Sequence, residues 1–182
     1  MRINAGKYRN HNIEMTNLET TRETSDKVRQ AIFNLIGQFF DGEVVLDLFA
    51  GSGAIGLEAI SRGAFEAYFN DINKQAIETV KRNALKLKVL EQCDLKNMDF
   101  KDYLTSINRP FDIIFLDPPY KEEFALDAIE RMSELKLLKD EGIIIIETDE
   151  PKRDIERINK MNINYKMYDL RKYGRVSLIF LK

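Results

Sequence analysis

Apolar residues change their period several times along the chain, and each change marks an element. Val28, Ala31, Ile32, Leu35, Ile36 and Phe39 fall at i, i+3, i+4, i+7, i+8 and i+11. That is the spacing of a helix with one apolar stripe, and Thr24 or Ser25 just before it offers an N-cap. After Asp41-Gly42 the pattern becomes continuous. Val44 to Phe49 is broken only by Asp47, as in a strand covered on both faces. A helix is predicted over Ala54 to Arg62, stopped by Gly63, then a strand over Ala67 to Asn70. Lys74 to Leu87 reads as a helix with Ile77, Val80, Ala84 and Leu87 inward, and Gln92 to Leu95 as a weak strand. Phe111 to Leu116 is the next strand, Glu122 to Leu135 a helix and Gly142 to Glu147 a further strand. Pro151 opens another helix, where a missing N–H is no loss. Strands over Ile163 to Tyr168 and Val176 to Leu181, joined through Tyr173-Gly174, finish the chain as a hairpin.

Strands alternating with helices predict an α/β fold with a mostly parallel, Rossmann-like seven-stranded sheet and an antiparallel C-terminal hairpin. Residues 1–182 read as a single domain, of which 1–40 is an N-terminal extension carrying one helix. With 182 residues, 44% of them hydrophobic, the chain is long enough for one core. Ile143 to Ile146 is the longest aliphatic run, too short to span a membrane. Residues 1–15 hold no apolar signal region, so a cytoplasmic protein is expected. A lone Cys93 and a lone His11 exclude an internal disulfide and a structural zinc cluster. Cys93 reads as a small core residue and His11 as a surface residue.

Net charge is −2, against nonspecific coating of nucleic acid, but the charge is uneven. Residues 1–13 contain Arg2, Lys7 and Arg9 with no acid. Residues 166–182 contain Lys166, Arg171, Lys172, Arg175 and Lys182 against Asp169 alone.

Candidate chemistry begins in the turn after the first strand, Asp47-Leu48-Phe49-Ala50-Gly51-Ser52-Gly53-Ala54-Ile55-Gly56. Its glycines let the backbone turn tightly near a ligand at the carboxyl end of the sheet. Gly51, Gly53 and Gly56 spell G-x-G-x-x-G, and Asp71 follows at the distance of a ribose-binding acid. Those features alone would fit a dinucleotide. Asp47, however, would repel a pyrophosphate seated on the helix N-terminus. An adenosine with a cationic tail fits better, which points to S-adenosylmethionine. Asp71 with Ile72 would then take the ribose end, and Phe49, Gly51 and Gly53 would admit the methionine portion against bare backbone. Asp47 would order the loop and face the ammonium, and Asp99 with Phe100 is placed for the adenine.

At the end of the fourth strand stands Asp117-Pro118-Pro119-Tyr120. Two prolines stiffen the chain and present the Pro118 carbonyl without a competing donor. Asp117 adds a second acceptor, and Tyr120 a flat face for stacking. Two acceptors and an aromatic plate suit a planar base bearing an exocyclic amine. Holding both N–H groups frees the nitrogen lone pair for attack on a methyl sulfonium, with no strong general base required.

With these residues in place, the chain resembles the RsmD family of bacterial 16S ribosomal RNA guanine-N2 methyltransferases. The resemblance runs through Met1-Arg2-Ile3-Asn4-Ala5-Gly6-Lys7-Tyr8, Thr21-Arg22-Glu23-Thr24 and on to Asn34, Leu46 to Gly53, Asp117 to Tyr120 and Lys172-Tyr173-Gly174. It implies the class I methyltransferase fold, S-adenosylmethionine as cofactor, and 16S rRNA within small-subunit assembly particles as partner. Arg22, Thr24 and Arg29 map to the family's segment before the first helix, near the mouth of the site. With Arg2, Lys7, Arg9 and Tyr173 they form the expected RNA-contacting set. Glu23 stands where the family usually has proline, and Asp71 where it usually has glutamate. No metal is expected, and the chain is expected to act as a monomer. Competing readings are an adenine-N6 methyltransferase of DNA or RNA, a protein glutamine methyltransferase, a noncatalytic adenosylmethionine- or RNA-binding subunit and an NAD-dependent oxidoreductase. A DNA enzyme would need room for a separate recognition domain.

Overall fold

The computed structural model describes residues 1–16, 24–119 and 123–182. Its elements are α1 (Asp26–Ile36), β1 (Val44–Asp47), α2 (Ala54–Ser61), β2 (Glu66–Asn70), α3 (Lys74–Leu87) and β3 (Cys93–Lys96). They continue with α4 (Phe100–Ser106), β4 (Phe111–Leu116), α5 (Phe124–Leu135), β5 (Leu138–Thr148), α6 (Pro151–Lys160), β6 (Met167–Tyr173) and β7 (Val176–Leu181). The seven strands form one sheet in the order β3-β2-β1-β4-β5-β7-β6. All pairings are parallel except β5 with β7 and β7 with β6. This is the class I methyltransferase arrangement expected from the sequence. Strand order reverses between β1 and β4, and the crevice beyond their carboxyl ends is where open α/β sheets bind ligands.

The side-chain alternation of each strand sorts the core into two layers. Val45, Ile113, Phe115 and Ile145 face a cluster with Val28, Ile32 and Phe33 of α1, Leu57 and Ile60 of α2, and Val80 and Ala84 of α3. Leu46, Ile114, Leu116, Ile144 and Ile146 face the opposite cluster, with Tyr103 and Leu104 of α4, Ile129 and Met132 of α5, and Ile158 of α6. Helices therefore cover both faces, α1 to α3 on one and α4 to α6 on the other.

Several boundaries differ from the sequence reading. The stripe of α1 runs only to Ile36, because Gly37 leaves helical geometry at φ 124°; Leu35 is exposed and Phe39 is 66% exposed. The sequence reading passed over α4, although Phe100, Tyr103 and Leu104 are buried at i, i+3, i+4 behind an Asp99 cap. It is seven residues long, so its period has little room to repeat. β6 lies several residues later than Ile163 to Tyr168. The tight turn at Gly174 forces pairing to begin at Tyr173 opposite Val176, so Leu181 reaches back only to Met167.

The N-terminal extension is a docked part of the fold. Ile3 and His11 form a short antiparallel contact through Ile3 N–H to His11 C=O at 3.0 Å and Asn10 N–H to Ile3 C=O at 2.9 Å. Ile3 and Ile13 are buried. Gly6 is required because its backbone lies flat on the end of α2: a Cβ there would stand 1.8 Å from the Ser61 carbonyl oxygen, and φ is +82°. The N–H of Lys7 donates to that carbonyl at 2.7 Å, and the N–H of Tyr8 to the Ser61 hydroxyl at 3.0 Å. The Ala5-Gly6-Lys7-Tyr8 block is thus a clasp on α2.

Glu58 anchors the same region from inside α2. Fully buried, it accepts the N–H of Asn4 at 2.7 Å and of Ala5 at 3.0 Å. It also pairs with Arg62 Nε at 2.8 Å and lies 3.5 Å from Arg29 Nε. Removing one partner of a buried ionic cluster leaves the others desolvated, a loss of about 3–5 kcal/mol. Glu58→Ala is therefore expected to lower stability by that amount in chemical denaturation, and a change below about 1 kcal/mol would show that the cluster is not a structural anchor.

Among the described residues no helix is long and apolar enough to cross a membrane.

Candidate active site

Three acidic residues mark the carboxyl edge of the sheet around the reversal point. Asp47 ends β1, Asp71 follows β2 and Asp117 follows β4. Each is held by identifiable bonds.

Asp47 is buried and its Oδ2 accepts the Gly56 N–H at 3.1 Å. Gly56 is the third residue of α2, so a carboxylate already takes one of the helix N-terminal N–H groups that a pyrophosphate would use. The glycine loop folds over this point. Gly53 caps α2 in the left-handed region at φ +77°, and a Cβ on it would meet Val80 at 2.9 Å. Its bareness therefore serves packing against α3 as well as access for a ligand.

Asp71 is half-buried. One oxygen accepts the Gly51 N–H at 3.0 Å and the other the Asn73 N–H at 2.8 Å. Burial pushes its pKa up, and the two backbone bonds oppose that shift. A carboxylate has about four lone-pair sites, so Asp71 keeps capacity for a diol. Ile72, next in sequence, is 73% exposed, an apolar surface bared beside the acid. Asp99 is exposed and its Oδ1 accepts the Lys101 N–H at 2.8 Å, capping α4. Phe100 is buried with Phe49 and Phe124, ring centroids 5.4 and 5.3 Å away, so its ring forms the wall of the region and not an open face.

Three asparagines outside the predicted set of site residues assemble this edge. Asn70, buried at the end of β2, donates to the Met98 carbonyl at 3.2 Å and accepts the Met98 N–H at 3.3 Å. Asn97 donates to the carbonyls of Asp71 and Ile72, each at 2.8 Å. Asn83, buried in α3, donates to the Ser52 carbonyl at 3.0 Å and the Glu14 carbonyl at 2.9 Å, and accepts the Glu14 N–H at 2.7 Å. The available signal was a polar amide at an apolar position, as Asn70 ends an otherwise hydrophobic strand and Asn83 follows the helical stripe.

Asp117 is half-buried, Pro118 buried and Pro119 exposed. Pro118 lines a small cleft with Glu123, Ala125, Leu126, Glu147, Thr148, Arg153 and Asp154, between β4, β5 and the starts of α5 and α6. The Oδ2 of Asp117 accepts a hydrogen bond from the Thr24 hydroxyl at 2.8 Å. Tyr120 and Arg22 lie outside the described residues.

The expected RNA-contacting residues separate into groups. Arg29 is corrected: its side chain is fully buried, bonded to Asp26 at 2.8 Å and facing Glu58, because it lies on the same face of α1 as the buried Val28, Ile32 and Phe33. Thr24 is also buried, inside the mouth of the site and bonded to Asp117, so it does not present a surface to RNA. Arg2, Lys7 and Arg9 are exposed on the N-terminal clasp, at the end of α2 away from the glycine loop. Tyr173 sits at the β6–β7 turn. Its neighbour Lys172 pairs with Ser177, which pairs with Thr148 at the carboxyl end of β5, so this turn shares the edge of the sheet that carries Asp117.

Cys93 is partly buried with its thiol pKa pushed up to about 12 by burial, so it carries no thiolate for covalent attack. His11 is exposed, its Nδ1 2.9 Å from the Tyr8 carbonyl in a local turn.

Known proteins resemble the chain in sequence and in fold. The model of the conserved hypothetical protein 95 family matches residues 1–182. A putative rRNA methyltransferase, YlbH, of Bacillus subtilis is 38% identical over 159 residues, 86% of this chain and 85% of that one. Ribosomal RNA small subunit methyltransferase D of Haemophilus influenzae is 36% identical over 155 residues, 84% of this chain and 80% of that one. Among solved structures, a putative methyltransferase of Escherichia coli, yhhF, superposes with a TM-score of 0.83 at 26% identity, covering 100% of this chain and 96% of that one. Match, identities and fold agree with the sequence motifs, and the chain belongs to the conserved hypothetical protein 95 family, the RsmD-type family those motifs resemble.

Proposed function

We propose that this protein is a methyltransferase that uses S-adenosylmethionine to methylate the exocyclic N2 of a guanine in small-subunit ribosomal RNA. One observation carries the choice of cofactor: the buried Asp47 sets a carboxylate against the first turn of α2 through its bond to Gly56. A phosphate there would meet a buried carboxylate, whereas the cationic end of adenosylmethionine would meet an attractive one. The remaining residues fit the same molecule. Asp71 would accept the ribose hydroxyls, Ile72 and the region around Asp99 would lie along the adenine, and Gly51 and Gly53 would flank the methionine portion. Bound there, the cofactor supplies a methyl group on a sulfonium.

The protein's own part is to present the amine. Asp117 and the Pro118 carbonyl accept the two N–H bonds of a flat exocyclic amine, which draws its lone pair out of conjugation with the ring. Tyr120 would stack on the extruded base, worth about 1–3 kcal/mol. Positioning of this kind supplies most of the acceleration in a displacement between two bound reactants. The proton lost from nitrogen is already acidic once the new bond forms, so Asp117 can pass it to water without a histidine.

The relatives' names support ribosomal RNA as substrate. Low net charge favours recognition by shape over backbone charge, so a partly assembled small subunit is the proposed substrate, with the basic N-terminal clasp docking at a distance from the chemistry. Mapping rRNA methylation in cells lacking the protein is expected to show one N2-methylguanine missing from the small-subunit rRNA. An unaltered pattern would refute the reading, and a missing N6-methyladenine would redirect it to adenine. Replacing Arg2, Lys7 and Arg9 with glutamate should weaken binding to assembly particles while leaving adenosylmethionine affinity unchanged. Parent-like rates in that variant would remove the clasp from RNA docking, and equal or faster methylation of naked 16S RNA would refute the particle as substrate.

A further inference from the structure

The hydrogen bond between Thr24 and Asp117 joins two parts of the chain 93 residues apart. Thr24 and Ser25 are both potential helix caps, yet only one is needed. Ser25 takes that role, its hydroxyl accepting the Val28 N–H at 3.3 Å. Thr24 is left to aim at Asp117, with its own side chain buried. The start of α1 thus delivers a hydroxyl donor to the carboxylate placed for the substrate amine.

That start is mechanically fixed. One turn along α1, Arg29 is buried against Asp26 at 2.8 Å and faces Glu58 in α2 at 3.5 Å. Glu58 in turn holds the backbone of Asn4 and Ala5. The N-terminal clasp, Glu58 and Arg29 thus tie α1 to α2 through polar contacts, and the backbone N–H of Arg29 bonds the carbonyl of Ser25, the residue that follows Thr24.

We infer that Thr24 is a positioning residue for methyl transfer, orienting the Asp117 carboxylate so that its remaining lone pairs point at the target amine. The inference rests on the amine-methyltransferase reading above. A hydroxyl bonded to Oδ2 restrains the rotation of the carboxylate, and a carboxylate with about four lone-pair sites keeps acceptor capacity beside that bond. The N-terminal extension would thereby have a second duty: besides docking, it completes the catalytic geometry. The family resemblance implies only that Thr24 lies near the mouth, which by itself suggests an RNA contact.

The test compares the parent with Thr24→Val, which keeps shape and loses the donor, and Thr24→Ser, which restores it. Turnover on small-subunit particles, KM for the particle, adenosylmethionine affinity and melting temperature are measured for each. Thr24→Val should lose about 10- to 100-fold in kcat, as expected for one oriented bond to a charged acceptor. Its KM and cofactor affinity should stay within about twofold of the parent, and Thr24→Ser should recover most of kcat. Turnover of Thr24→Val within about twofold of the parent overturns the inference. So does a loss that Thr24→Ser does not recover, or one that appears as raised KM or weakened cofactor binding, since these mark an RNA contact or a packing role. If the parent methylates no RNA, the functional reading itself fails and this inference with it; an active parent with an indifferent Thr24→Val variant refutes the inference alone.

Discussion

Asp117→Ala is expected to abolish methyl transfer while leaving adenosylmethionine affinity within about threefold of the parent. The proposed bonds of Asp117 run to the amine of the target base, and Asp71 and the glycine loop take the cofactor. In the ground state the amine nitrogen shares its lone pair with the ring, so its attack depends on acceptors that hold both N–H groups as it pyramidalises. Removing a preorganised group aimed at developing charge costs other enzymes about 10²–10³-fold in turnover, and an effect at least that large is expected here. The Pro118 carbonyl remains, which leaves one N–H held and one free. Alanine also removes the acceptor of the buried Thr24 hydroxyl, at a cost of about 1–3 kcal/mol in stability. Melting temperature must therefore be followed beside turnover. Asp117→Asn separates the two effects, since it keeps an oxygen for Thr24 and loses the charge. Near-parent turnover of either variant on ribosomal particles would refute the mechanism.

Asp71→Ala is expected to have the opposite signature, a loss of cofactor binding. Two consequences add. The ribose hydroxyls lose a charged acceptor, at about 1.5–3 kcal/mol, or roughly 10- to 150-fold in affinity. The N–H groups of Gly51 and Asn73 lose theirs as well, so the glycine loop is released from the end of β2. Calorimetric titration with adenosylmethionine checks this, and an unchanged dissociation constant would remove Asp71 from the site. The pH dependence follows from the direction of the Asp71 shift. Burial raises its pKa, so the folded chain binds the proton more readily than the unfolded chain does. At neutral pH the buried charge therefore costs stability, and acidification through the raised pKa relieves that cost. Cofactor affinity moves the other way, falling as the carboxylate is protonated. The affinity loss should begin above the ordinary carboxylate range near pH ~4. It should vanish from the pH profile of Asp71→Asn.

Much of this site was legible in the chain. The turn from Asp47 to Gly56, the acid at Asp71 and the tetrapeptide at Asp117 each lie at the end of an apolar run, and strand ends are where local pattern is strongest. Helix α3 matches its predicted bounds, because fourteen residues give the period room to repeat. Short or long-range features were less legible. α4 was hidden by its length, and the placement of β6 depended on where a turn forces pairing to begin.

Local sequence by itself determined the strand ends and turns that hold the candidate residues: hydrophobic period, turn glycines and the proline pair act over a few positions, so they are written in neighbouring letters. Tertiary structure alone decided which partners those residues meet. Arg29 looked like a cation for RNA and is a buried ion beside Glu58; Thr24 looked like a cap or an RNA contact and bonds Asp117; residues 1–13 looked like a basic segment for RNA, and Ala5-Gly6-Lys7-Tyr8 within them is a clasp on α2. The physical reason is common to all three. A charge or hydroxyl takes its role from the group it faces and the solvent it loses, and both are fixed by segments tens of residues away that meet only when the helices pack on the sheet.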